Sequence, residues 1–206
     1  YFSWSVERRP ITERAELWLV RDDGSEVPIC RGAEEPACVM GAYRATPEEG
    51  ELFEVVDVGL GTRASDYRSG ARLAGRVALA SGHHVEAVML EALAARRAEG
   101  LLCGPGAEPD AGRVVPNRLG EPSLFEDHRP FGFNLTRHQH DLLLGRLADE
   151  EPVQVRVRLQ QRLDTGHLPL CSATLPGSDL ADERVLLIAE LPAAWADIVN
   201  DFVAQT

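Results

Sequence analysis

Lysine does not occur in the 206 residues: all 21 basic side chains are arginine. They stand against 33 Asp and Glu, for a formal net charge of −12 at pH 7. Binding along a phosphate backbone needs an excess of base on some face. No stretch of this chain supplies one, so nucleic acid is not an expected partner. No run of about eighteen apolar residues occurs either, and no membrane span is expected. Aromatic residues are scarce, at 6%. There is no Gly-x-Ser-x-Gly elbow, no His-Glu-x-x-His and no Walker loop. Cysteine is too sparse for a disulfide framework, and Cys30, Cys38, Cys103 and Cys171 include no Cys-x-x-Cys. Reduced, partly buried thiols are the expectation, with a Cys30–Cys38 pair left open. These thiols do not fix a compartment, and the cytoplasm is the default expectation.

What is present is ordinary globular material, 44% hydrophobic and 26% charged, long enough for one large or two small units. The chain opens at Tyr1 in the middle of an alternating pattern, Phe2, Trp4 and Val6 against Ser3, Ser5 and Glu7. The expectation is a piece of a longer parent chain. Short strands separated by turns are expected as far as about Tyr43. Ala15–Val20 is β-compatible, Asp22-Asp23-Gly24 is a hairpin signal, and Val27–Cys30 is its return strand. Leu52–Gly59 reads as the strongest strand, and Arg76–Ala80 as another.

The period then changes. Val85, Val88, Met89, Ala92, Leu93 and Arg96 recur at spacings of three and four, which predicts an amphipathic helix over His84–Ala98. Gly100 stands where a left-handed terminal residue belongs. Leu101–Cys103 completes a strand–helix–strand unit, and Gly104 to Pro130 reads as loop. Thr136 can cap a second helix, Arg137–Ala148. Val153–Leu159 alternates as a half-exposed strand, and Cys171–Leu175 and Arg184–Ala189 are two more. The fold class expected is α+β, rich in strands.

Candidate chemistry is thin. Asp57-Val58-Gly59-Leu60-Gly61 after a strand is how an S-adenosylmethionine site begins, with a glycine turn that opens a helix at once. Arg63 stands where a third glycine belongs, and too little chain follows for a full helix. A strand ending in a glycine turn is the better reading. His138 and His140, beside Asp141, diverge by about 200° if helical and do not suit one ion. They read as solvated first-turn residues, as do His83-His84 ahead of the earlier helix. Glu34-Glu35 and Glu150-Glu151 read as solvated turns, and Cys171 and Ser172 have no evident base partner.

The order of the pieces carries more. Val55–Gly61, Ser65-Asp66-Tyr67, the strand Leu73-Ala74-Gly75-Arg76-Val77-Ala78-Leu79 and the helix ending in Gly100-Leu101-Leu102-Cys103 resemble a protease-associated (PA) domain over about residues 50–130. Arg76 replaces that family's usual Lys. Phe131-Gly132-Phe133-Asn134-Leu135-Thr136 with the following helix, and Ala173-Thr174-Leu175-Pro176-Gly177-Ser178, are similar to the entry of a zinc aminopeptidase domain. The resemblance implies a β-rich PA-like domain, 50–130, inserted in the start of an α/β aminopeptidase-like domain. The latter would comprise 131–206 packed with a strand-rich segment, 1–49.

The same resemblance implies zinc in the family, but where the family has Ala-His this chain has Ala189-Glu190-Leu191-Pro192. Asn200-Asp201 is followed by Phe202 in place of the family's second Asn. Glu190 and Asp201 are therefore the only weak metal candidates, and no cofactor is expected in this chain itself. The function implied is a non-catalytic, PA-bearing portion of a zinc aminopeptidase-like protein, shaping access of peptide or protein substrates or partners. The alternative is a self-standing interaction or assembly module.

Overall fold

The computed structural model describes residues 2–67, 72–82, 85–105, 112–120, 122–125, 127–149 and 152–170, leaving aside the side chains of 2–11, 122–123 and 163–170. The larger compact unit runs from Pro10 to Arg162, and the smaller consists of Tyr1–Arg9 with Leu163–Thr206.

Among the described residues there are eight strands in one mixed, curled sheet: β1 (Phe2–Val20), β2 (Glu26–Arg31), β3 (Val39–Ala42), β4 (Glu51–Asp57), β5 (Arg76–Ser81), β6 (Gly100–Gly104), β7 (Phe131–Asn134) and β8 (Gln154–Leu170). Their order is β2-β1-β8-β4-β5-β6-β7-β3. The central block β4-β5-β6-β7 is parallel throughout, while β1–β2, β4–β8 and β3–β7 are antiparallel. The curl brings the far end back to β8. Thr46 N donates to the Leu159 carbonyl and Leu159 N to Thr46 Oγ1, each at 2.9 Å, and Gln161 Nε2 donates to the Ala42 carbonyl.

Each side of the sheet carries its own core. On β5, Val77 and Leu79 enter a cluster with Leu17, Phe53, Phe131, Phe133 and Val155. The alternate residues Ala78 and Ala80 enter another with Val88, Leu93, Leu101 and Cys103. A strand whose two faces are both covered has no need to alternate polar with apolar, and β5 and β6 do not. At the antiparallel end one face is wet, and polar side chains line it. Trp18 lies between the guanidinium groups of Arg31 and Arg158, 4.9 and 5.1 Å from its ring centre. Arg156 and Arg158 both donate to the Glu26 carboxylate, at 2.5 and 2.7 Å.

The first helix departs from its expected form. It runs as α1 (Val85–Val88) and then widens into a π turn, Met89–Ala95. The expected apolar face is nevertheless the buried one, with Val85, Val88, Met89, Ala92 and Leu93 all in the core. Gly100 is not the helix terminator: Arg97 takes the positive φ, 54°. Gly100 is already in β6, where a Cβ would come within 2.3 Å of Phe131 Cε2. Glycine is needed there for close approach and not for backbone freedom.

Up to Val20 the expected short strands are instead one strand of 19 residues, β1, while β2 and β3 are short as expected, and the strand expected at Val153–Leu159 continues to Leu170. The second helix, α2 (Arg137–Ala148), has the expected bounds, and Thr136 and Gln139 cap it reciprocally, at 3.2 and 2.8 Å. The strands expected at Cys171–Leu175 and Arg184–Ala189 lie outside the described residues.

Candidate functional site

In open parallel sheets, ligand sites gather at the carboxyl ends of the strands. Here that edge is formed by the residues after β4, β5 and β6. After β4 the chain turns at Gly59 and Gly61, whose φ values are 59° and 63°. Asp57 Oδ1 accepts from Gly59 N at 2.8 Å. Asp66 Oδ2 accepts from Thr62 N and Arg63 N at 2.9 and 3.0 Å, and Tyr67 OH donates to the Gly61 carbonyl at 2.8 Å. Burial pushes the Tyr67 phenol up to about 12. The turn runs into a single 3₁₀ turn, Ala64–Asp66, and not into the helix N-terminus that an S-adenosylmethionine site requires. Its amides are taken by this chain's own carboxylates.

At the end of β5, Ser81 N donates to the Gly59 carbonyl at 2.7 Å, so this edge is one hydrogen-bonded surface. Ser81 Oγ lies 2.8 Å from His140 Nε2, in a hydrogen bond whose direction the imidazole tautomer sets. His140 Nδ1 lies 3.3 Å from Asp141 Oδ1. The expectation of a solvated His140 is therefore overturned, for the residue is 6% exposed. The reason is steric. Gly104, at the end of β6, leaves room for the ring, and a Cβ there would sit 2.5 Å from His140 Cδ2. His138 is exposed, as expected.

Hydroxyl, imidazole and carboxylate thus stand in the order of a nucleophile, its base and an orienting acid. The carboxylate end is weak, because the Asp141 side chain is 59% exposed and its contact is long. What the pair does plainly is fasten α2 to the ends of β5 and β6. No sequence signal joins Ser81 to a residue 59 positions away. Only the spacing of His140 to Leu143 on the packed face of α2 hints that the ring turns inward.

The remaining candidates are structural or lie elsewhere. Glu34 pairs with Arg31 at 2.5 Å, and Glu35 Oε1 accepts from Ala37 N at 3.3 Å, capping a 3₁₀ turn, Pro36–Cys38. Glu190 and Asp201 lie outside the described residues, as do His83, His84, Glu150, Glu151, Cys171 and Ser172. Among the described residues, no three His, Cys, Asp or Glu side chains converge to hold a metal ion. Cys30, Cys38 and Cys103 are free and buried. Burial pushes the Cys103 thiol up to about 11. No described helix is long and apolar enough to cross a membrane.

No known family and no curated protein matches the chain. Among solved structures it is similar to an aminopeptidase from Aneurinibacillus sp. strain AM-1, with 17% identity and a TM-score of 0.49 over 81% of this chain and 35% of that one. It is also similar to a zinc aminopeptidase from Bacillus subtilis, with 16% identity and a TM-score of 0.49 over 81% and 35%. A peptidase M28 precursor from Shewanella amazonensis gives 15% and 0.47 over 81% and 40%. The chain therefore spans well under half the length of these proteins.

Proposed function

We propose that this chain is the PA-bearing, non-catalytic portion of a zinc aminopeptidase-like protein, in which it shapes the access of peptide or protein substrates or meets protein partners. The observation that carries this reading is the edge just described. The residues on which the PA resemblance rests, Val55–Gly61, Asp66-Tyr67, Arg76–Leu79 and Gly100–Cys103, come together as a parallel block. Asp66 and Tyr67 close the glycine turn, and one helix crosses from β5 to β6. In this reading 50–130 is the inserted segment, with 1–49 and 131–206 on either side.

Zinc belongs to the resembled family. The donors this chain offers for it, Glu190 and Asp201, include no imidazole, and a lone carboxylate pair is a poor zinc site. A dinuclear hydrolase needs a fuller ligand set and a base for the bridging water. No catalytic step is therefore assigned to this chain. Purified chain incubated with zinc and a panel of aminoacyl chromogenic substrates should hold no stoichiometric zinc and give no turnover. Turnover that a chelator and Glu190→Ala both abolish would overturn the reading.

A further inference from the structure

We propose that Cys30 and Cys38 are a disulfide-forming pair, closed by a dissolved disulfide such as oxidised glutathione as the loop between them folds. Cys30 is on β2 and Cys38 ends the 3₁₀ turn, and both are buried, at 4% and 2% exposure. Backbone hydrogen bonds wind the intervening loop back on itself. The Arg31 carbonyl accepts from Glu34 N and Glu35 N, each at 3.0 Å, and the Glu35 carbonyl accepts from Cys38 N at 3.0 Å. Gly32 N donates to the Ala15 carbonyl at 2.8 Å, pinning the start of the loop to β1.

Asn134 holds the two cysteines from the other side. Its Nδ2 donates to the Ala37 carbonyl at 3.0 Å, beside Cys38, while its own carbonyl accepts from Cys30 Sγ at 3.9 Å. Both sulfurs belong to the same core cluster, whereas Cys103 belongs to the cluster on the opposite side of the sheet. Cys103 is engaged there with the Gly82 and Gly104 carbonyls, at 3.6 and 3.7 Å. The sheet itself therefore selects Cys38 over Cys103 as the partner of Cys30.

The chemistry has a direction. The neighbouring Cys38, with burial, holds the Cys30 thiol protonated well above its usual range, and the neighbouring Cys30 in turn favours the Cys38 thiolate. The Cys38 thiolate attacks one sulfur of glutathione disulfide. That S–S bond breaks, and a glutathione thiolate leaves and takes a proton from water. Cys30 then gives its proton to water and attacks the Cys38 sulfur of the mixed disulfide, releasing the second glutathione. Two electrons pass from the two protein thiols to the one glutathione disulfide. The loop closed is short, and its backbone hydrogen bonds already wind it back in the reduced state.

The full chain refolded in a glutathione buffer, alkylated in denaturant and cut with trypsin tests this. Cleavage after Arg31 puts the two cysteines in separate peptides, so a linked pair is recognised by its combined mass. Two of the four cysteines should escape alkylation, joined as Cys30–Cys38, and the thermal midpoint should fall when a phosphine reductant opens them. Cys38→Ser should leave Cys30 alkylated and joined to nothing, a result that wild-type mapping alone can replace if the variant fails to fold. Alkylation of both Cys30 and Cys38 after oxidative refolding, or linkage of Cys30 to Cys103 or Cys171, would overturn the proposal.

Discussion

The parallel centre of the sheet and its antiparallel end solve the same problem by different means. In β5, β6 and β7 the strand interior is buried on both sides, by Val-Ala-Leu-Ala, Gly-Leu-Leu-Cys-Gly and Phe-Gly-Phe-Asn. Successive residues serve opposite cores, so no position is spare. In β8, Val155, Val157 and Leu159 are buried while Gln154 and Gln160 are exposed and Arg156 and Arg158 half-buried. That strand spends every second residue on a wet face, where arginines bracket Trp18 and pair with Glu26. The centre is specified by shape and the end by alternation and charge.

Adjacent truncations should break this comparison if it is wrong, and they carry the largest effect. Leu101→Ala and Leu102→Ala, side by side in β6, should each cost about 2–5 kcal/mol, because both side chains are fully buried, in different cores. In β8, Leu159→Ala should cost a similar amount, but its neighbour Gln160→Ala should stay within about 0.5 kcal/mol. Urea unfolding of the four variants reads this directly. A cheap Leu101→Ala would mean that the centre has only one covered face.

Glycine substitutions come next. Gly100→Ala should cost about 1–3 kcal/mol, since the new Cβ meets the Phe131 ring in a packed layer. Gly24→Ala, in the hairpin between β1 and β2, has open space around it but a φ of 79°. It should cost about 1 kcal/mol through backbone strain alone. The two losses have different cures. Phe131→Leu should rescue part of the first and leave the second untouched.

How far the sequence could be read divides along the same line. Local signals worked where the cause is local: the Leu-Phe-Glu-Val-Val strand, the buried Val85–Leu93 face, and the Thr136 cap of α2. They failed where the cause is a distant neighbour. Gly100 looks like a helix end until Phe131 is laid over it, and His140 looks solvated until Gly104 opens a seat. Period alone also cannot say that β7 pairs with β6 on one side and β3 on the other, because register between remote strands is written in no single window.

The two regions should also fail at opposite ends of the pH scale. At the antiparallel end, the hydrogen bond from Arg14 holds the Glu16 carboxyl below its usual range. At Glu26, burial pushes upward but the hydrogen bonds from Arg158 and Arg156 outweigh it. Carboxyls held low when folded stabilise above their unfolded pKa, about 4.3, and that contribution is lost as pH falls through the folded value. At the parallel edge, Tyr67 is held up to about 12. Its contribution is complete below about pH 10 and lost as pH rises from there to about 12. Thermal midpoints across pH should show Glu26→Gln flattening the acid limb only and Tyr67→Phe the alkaline limb only. A variant that flattens both would mean that the two regions do not titrate separately.

The smallest effect sharpens the comparison most finely, because it concerns strain that the parallel centre accepts in order to keep its close packing. Arg97 is exposed and takes a φ of 54°, a conformation that costs a side chain with a Cβ about 1–2 kcal/mol. It does so because Ala98 must turn inward, with its N donating to the Ala92 carbonyl at 2.9 Å, before the chain enters β6 at Gly100. Glycine at 97 would relieve that strain, while its greater freedom in the unfolded chain takes back roughly 0.5–1 kcal/mol. The net for Arg97→Gly is a gain of a few tenths of a kcal/mol up to about 1 kcal/mol, read as a small rise in thermal midpoint. Arg97→Ala keeps the Cβ and should gain nothing. If both variants lose stability, the Arg97 side chain itself holds the turn, and the strain is offset locally rather than by the packing of Ala98 and Gly100 against the centre of the sheet.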